Sequence, residues 1–279
     1  MNRRSFLIAL VGTPALAALA SCGKQGTADP AADPGYTLPT GADDVFLRIA
    51  SDGGFVAPET IFVRIPTLLV AGDGRSFSPS AITMEWPGPL IMPMTVRTIT
   101  PAGLQRLAKL ADEARLIGFT PDYTIPDGIG IADAPDTVVA ITVNGSTFEH
   151  RAYALGLDDP TTPERDRLRK FVESTGNLAA LLGAENLGEE QQFEATSYRF
   201  RATEVDPAQW TEPMNIVDWP ASTGVRLVDA AECATVKAAK VAGLLTGAKQ
   251  NWLFREGETV YQLAIAMVLP GDASCAAAT

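Results

Sequence analysis

At 279 residues, 46% of them apolar and 20% charged, the chain has the composition of a folded protein and not of a disordered one. Its 33 acidic residues against 22 basic ones give a formal net charge of −11. That makes it a poor partner for nucleic acid and leaves it nothing to gain from an anionic membrane surface. One histidine and three cysteines, with no C-x-x-C, leave little from which to build a metal site, and no cofactor motif is present.

Arg3 and Arg4 head the chain, and Phe6 to Ala20 follows as an uncharged apolar run of 15 residues. That length suits the apolar part of an export signal and falls short of the roughly 20 residues a membrane span needs. The run ends Leu19-Ala20-Ser21-Cys22, which resembles the bacterial lipobox: an aliphatic residue, two small residues, then cysteine. The resemblance implies a lipoprotein signal peptide over residues 1–21, cleavage before Cys22 and a diacylglyceryl group on the Cys22 sulfur. It implies that membrane lipid is a partner and that the protein sits on the outer, extracytoplasmic face of a bacterial cell membrane. Two or more acyl chains anchor stably where one is marginal. Arg3-Arg4-Ser5-Phe6-Leu7 is also similar to the twin-arginine pattern, with departures at Asn2 and Ile8, so that route and the general export route both stay open.

From Cys22 onward, 258 residues carry 20 basic and 33 acidic side chains, so lipid and not charge must hold the chain to a bilayer. Setting Cys22 aside leaves Cys233 and Cys275. An even pair in an exported chain favours a disulfide over two free thiols or a metal site. Residues 22–41, rich in Gly, Pro, Ala and Asp and lacking apolar period, read as a flexible tether.

From Asp43 the pattern is β. Val45, Leu47 and Ile49 alternate with Phe46, Arg48 and Ala50, and Thr60 to Ile65 reads as a second strand that Pro66 ends. Gly72-Asp73-Gly74 joins two short strands as a hairpin turn. Ser80 to Pro93 holds Met84, Trp86, Leu90, Ile91 and Met92 among three prolines. It reads as a loop packed over the core in preference to an exposed binding loop. Thr100-Pro101 opens a helix with an apolar stripe of Leu104, Leu107, Ala108, Ala111 and Ala114, closed by Gly118. Asp122, Asp127, Asp133 and Asp136 follow in a loop. Their spacing does not match a calcium loop, and aspartates in turns usually bond local backbone. Asn144-Gly145 marks the strongest hairpin signal of the chain, between Thr137 to Val143 and Ser146 to Ala154.

Thr162-Pro163-Glu164, with Thr161 before them, starts a second helix whose apolar stripe is Leu168, Phe171 and Val172. Arg165, Arg167, Arg169 and Lys170 cover the remainder and read as a solvated face near acidic neighbours more than as an anion site. Phe193 to Val205 alternates as a strand, and Val225 to Val228 reads as another. Asp229 to Glu232 resembles a capping box for a third helix over about Ala230 to Leu245, and a final hairpin turns at Glu256-Gly257. Thr100 to Gly118 and Asp229 to Gly247 echo each other as 19-residue stretches, each preceded by strands and followed by a hairpin. The fold class expected is therefore α+β: antiparallel sheets of hairpins packed by about three helices. It suggests two similar β–α–β-hairpin modules, residues 42–185 and 186–279, on one shared sheet or on a sheet each.

Gly53-Gly54-Phe55-Val56, Gly72-Asp73-Gly74-Arg75, Asp133-Ala134-Pro135, Tyr153-Ala154-Leu155-Gly156 and Leu269-Pro270-Gly271 are passages in which the chain resembles a family of actinobacterial membrane-anchored lipoproteins with no assigned activity. The resemblance implies envelope location and nothing about chemistry. No G-x-S-x-G, Walker loop or H-E-x-x-H occurs. The sole histidine, His150, lies in a predicted strand and reads as half-exposed and structural. The leading functional expectation is a non-enzymatic binding module of the cell envelope, with a protein or glycan partner. A carrier of an apolar ligand and a carboxylate-based hydrolase are the alternatives.

Overall fold

Strand β1 (Val45–Asp52) decides the two faces of the larger sheet. Leu47 and Ile49 point to one face and are buried, whereas Arg48, Ala50 and Asp52 point to the other. The computed structural model describes residues 35–125, 130–157, 162–210, 214–273 and 275, with Tyr36–Thr279 as one compact unit. Cys22, Arg3, Arg4, Asp127 and Thr161 lie outside the described residues.

The expected second strand is instead a one-turn helix, α1 (Pro58–Phe62). Thr60, Ile61, Val63 and Ile65 mimic a strand by composition. Pro58, however, presets a helical φ at the first position and Glu59 suits the positive end of the turn. Strands β2 (Leu68–Ala71) and β3 (Arg75–Pro79) form the expected hairpin, with Asp73 accepting bonds from Arg75 N and Nε at 3.1 and 2.7 Å. The Ser80 to Pro93 loop divides. Leu90 is buried, its N–H donating to Ala248 O, but Met84 and Trp86 stand exposed, against the expectation of packing.

After β4 (Met94–Thr98), Thr100 caps α2 (Pro101–Glu113) by accepting from Gly103 N. The left-handed residue that ends this helix is Arg115 (φ 59°), three residues before the expected Gly118. Strands β5 (Asp136–Val143) and β6 (Ser146–Tyr153) meet at Asn144 and Gly145, both with positive φ, as a primed hairpin turn requires. Thr162 caps α3 (Pro163–Thr175), Asn177 caps α4 (Leu178–Leu182), and β7 (Gln191–Gln192) returns to the sheet. The order is β6-β5-β1-β2-β3-β4-β7, every neighbour antiparallel.

The second sheet is built from β8 (Ser197–Glu204), β9 (Asn215–Asp218), β10 (Ala234–Lys237), β11 (Trp252–Glu256) and β12 (Thr259–Met267) in the order β10-β8-β12-β11-β9. Only β9 and β11 pair in parallel. The third long helix, α5 (Ala238–Leu245), starts eight residues later than the capping-box pattern suggests. Leu227–Ala230, read partly as strand and partly as helix, is a 3-10 turn. Thr235 and Val236 prefer the pleated ladder against β8, so pairing overrides the local signal. Strand–helix–hairpin order still recurs, as β4-α2-β5-β6 and β10-α5-β11-β12, on a sheet each.

Helices α2, α3 and α4 cover one face of the first sheet through Leu47, Ile49, Val139, Ile141, Leu107 and Phe171. The second sheet covers the other face only over β2 to β4, where Leu69, Phe77 and Met94 meet Met267 and Leu269. The outer half of that face, β1-β5-β6, contributes no residue to this cluster between the sheets. Cys233 and Cys275 are joined, with Cα atoms 5.4 Å apart, tying the tail to the entry of β10.

Candidate functional site

This outer half-face carries an arginine-lined groove. The register sets Arg48 opposite Ala140, Ala50 opposite Val138, and Val138 opposite Arg151, so small and apolar side chains floor it between guanidinium groups. Arg64, just past α1, and Arg199, on β8 of the second sheet, complete the ring. The cleft they share holds about 220 Å³, with Ile61 as an apolar wall. Beyond Arg48 it opens into a wider trough of about 570 Å³, lined by Val45, Ala140, Thr142, Gly271 and Asp272.

The four arginines are engaged unequally. Arg151 Nη1 bonds Asp52 Oδ2 at 2.8 Å and Asp136 Oδ2 at 3.0 Å. Arg151, followed by the Gly53 N–H, holds the Asp52 carboxyl below its usual range. The two aspartates are cross-strand partners, the nearest approach in this groove to the carboxylate pair of a hydrolase. They share one cation, however, and its hydrogen bond outweighs the small effect of burial, so Asp52 is held away from the protonated state that a general acid requires. Arg48 reaches Asp272 only at 3.4 Å. Arg64 donates to Gly53 O at 3.0 Å, and Arg199 to Phe62 O at 3.3 Å while lying 5.2 Å over the Phe62 ring. Among the described residues, neither Arg64 nor Arg199 has a carboxylate partner, and Arg199 Nε is buried without an acceptor.

The residues singled out from sequence fall elsewhere. On α3, Arg167, Arg169 and Lys170 do pair with Glu164, Asp166 and Glu173 on a solvated face. Arg165 is not on that solvated face: it is fully buried and donates to Tyr123 O and Tyr153 O, each at 2.7 Å. Asp122 accepts from Thr124 N and Oγ1, a local turn bond, and Asp133 takes a positive φ. Among the described residues no three His, Cys, Asp or Glu side chains gather as a metal site would require.

His150 is not half-exposed but completely buried. Its Nε2 lies 2.9 Å from Leu116 O, which can only accept, so Nε2 carries the proton. Nδ1 is then an acceptor for Tyr123 Oη at 2.8 Å, and burial pushes that phenol up to about 12, keeping it a donor. The imidazole is held neutral by burial, which lowers its pKa. The unfolded chain therefore takes up a proton near pH 6.5 that the fold resists. The stability this histidine contributes is complete above that pH. It is lost as pH falls below it, with a limiting slope of about 1.4 kcal/mol per pH unit. Urea unfolding at pH 7.5, 6.5 and 5.5 checks this, and His150→Gln should flatten the dependence; an equal slope in the variant assigns it to other groups.

Sequence reasoning missed the groove because successive arginines in it are 16, 87 and 48 residues apart along the chain. The one linear trace is strand parity, which puts Arg48 and Arg151 among the outward-facing positions. No family model, no curated protein and no solved structure matches this chain.

Proposed function

We propose that this chain is a lipid-anchored lipoprotein of the outer face of a bacterial membrane, and that its folded part is a non-enzymatic binding module of the cell envelope. Residues 1–21 direct export, with Arg3 and Arg4 at their head, and acyl chains on Cys22 hold the protein. The groove takes the ligand. The observation that carries the anchoring is Leu19-Ala20-Ser21-Cys22 behind an uncharged run of 15 residues. In keeping with it, no helix among the described residues is long and apolar enough to cross a membrane. The observation that carries the binding role is the walled groove on the outer half-face, where guanidinium groups from β1, α1's exit, β6 and β8 converge.

The stretch read as tether extends to Gly41, yet the fold already grips its last residues. Tyr36 N and O exchange hydrogen bonds with the Gln105 side chain at 2.9 and 2.8 Å, and Thr37 N donates to Asn144 Oδ1 at 2.9 Å. Residues 36 and 37 therefore belong to the folded part and not to the expected tether.

Cys22→Ala tests the anchoring. The variant should leave the membrane fraction or accumulate with its signal uncut, and should take up no labelled palmitate. Undiminished labelling would overturn the assignment.

A further inference from the structure

We infer that the arginine cleft receives a phosphate monoester group, and that the trough beyond Arg48 receives the neutral body of the ligand that bears it. This rests on the groove being the ligand site. Asp52, Asp136, Glu149 and Asp272 pair with Arg151 and Arg48 at this half-face, so what distinguishes the cleft is not surplus charge but guanidinium donors that no carboxylate takes up. Of the four arginines, Arg151 is saturated by Asp52 and Asp136. Arg64 and Arg199 are each bound to a single backbone carbonyl, with no carboxylate partner among the described residues. The donors of Arg64 and Arg199 are therefore left to a ligand, with Arg48 loosely held beside them. A monoester is close to a dianion at neutral pH and offers three terminal oxygens, whereas a carboxylate offers one charge and two oxygens.

The volumes agree with this division. About 220 Å³ at the arginines suits a compact anionic head, and the larger trough, whose lining includes Val45, Ala140 and Thr142 together with the carboxylates Asp44 and Asp272, suits a body that carries no negative charge. Stacking on Phe62 and the bond to its carbonyl preset Arg199, so little side-chain freedom is lost on binding.

Calorimetric titration of the full-length lipidated protein in neutral detergent tests the inference with hexyl phosphate, dioctanoyl phosphatidic acid and hexanoate as probes. A phosphate probe should bind at least about ten-fold tighter than hexanoate, and weaken as salt rises from about 50 to about 500 mM. The preferred phosphate probe tells a soluble ligand from a lipid one. Arg64→Ala and Arg199→Ala should each weaken binding about ten-fold or more, and Arg169→Ala should not. Arg199→Lys, which keeps charge but not the fork, should fall between. Circular dichroism and thermal unfolding of each variant separate lost binding from lost fold. Hexanoate binding as tightly, with the same dependence on Arg64, overturns the phosphate assignment and leaves the groove as ligand site. If no anion binding depends on Arg64 or Arg199, both readings fall.

Discussion

Arg165→Ala should lower stability by about 3–5 kcal/mol, a large share of the roughly 5–15 kcal/mol that a folded domain has to lose. The side chain is fully buried at the N-terminal turn of α3, where its two Nη atoms bridge Tyr123 O and Tyr153 O. These carbonyls belong to the loop before β5 and to the end of β6, so one guanidinium fastens helix, loop and sheet. Truncation strands both acceptors away from water and opens a cavity as large as the side chain. Arg165→Met keeps most of the volume and should cost less. Arg165→Lys should lie between, because one ammonium cannot reproduce the planar fork that spans two carbonyls. Denaturant unfolding measures all three, and an Arg165→Ala variant within about 1 kcal/mol of the parent would show that the bridge is not needed.

Loss of the disulfide should be comparably severe. Cys233 and Cys275 are 42 residues apart in sequence, and closing a loop of that length restricts the unfolded chain by about 4 kcal/mol in the chain-entropy account. The bond also fixes the tail close behind Gly271 and Asp272, which wall the trough. Cys233→Ala/Cys275→Ala should therefore lower the denaturation midpoint and steepen the dependence on denaturant, as the unfolded chain expands. A reductant that frees two thiols should move the parent to the same midpoint. A parent indifferent to complete reduction would refute the stabilising role.

What was legible in the sequence was local chemistry. Asn144-Gly145 can hardly be anything but a tight hairpin, Thr100-Pro101 and Thr162-Pro163 begin helices, and two remaining cysteines pair. The α+β class followed from the same signals. The misreadings have physical causes. Thr60 to Ile65 has the β-branched content of a strand but lies in the grip of Pro58, and the capping box at Asp229 lost to the pairing of Thr235 and Val236 with β8. Two buried polar residues could have been found by parity. His150 shares a face with Phe148 and Ala152, and Arg165 stands three residues before Leu168 on the apolar stripe of α3. The groove could not, because no short-range pattern links positions 48, 64, 151 and 199.

The first sheet uses only residues 45–192 and the second only residues 197–267. Arg199 and the Gly271 to Asp272 wall come from the later part of the chain. The groove therefore has all its walls only where segments that follow the two sheets' separate runs of sequence meet. On the proposed function, binding would then depend on the second sheet as much as on the first, although the floor of the groove belongs to the first alone.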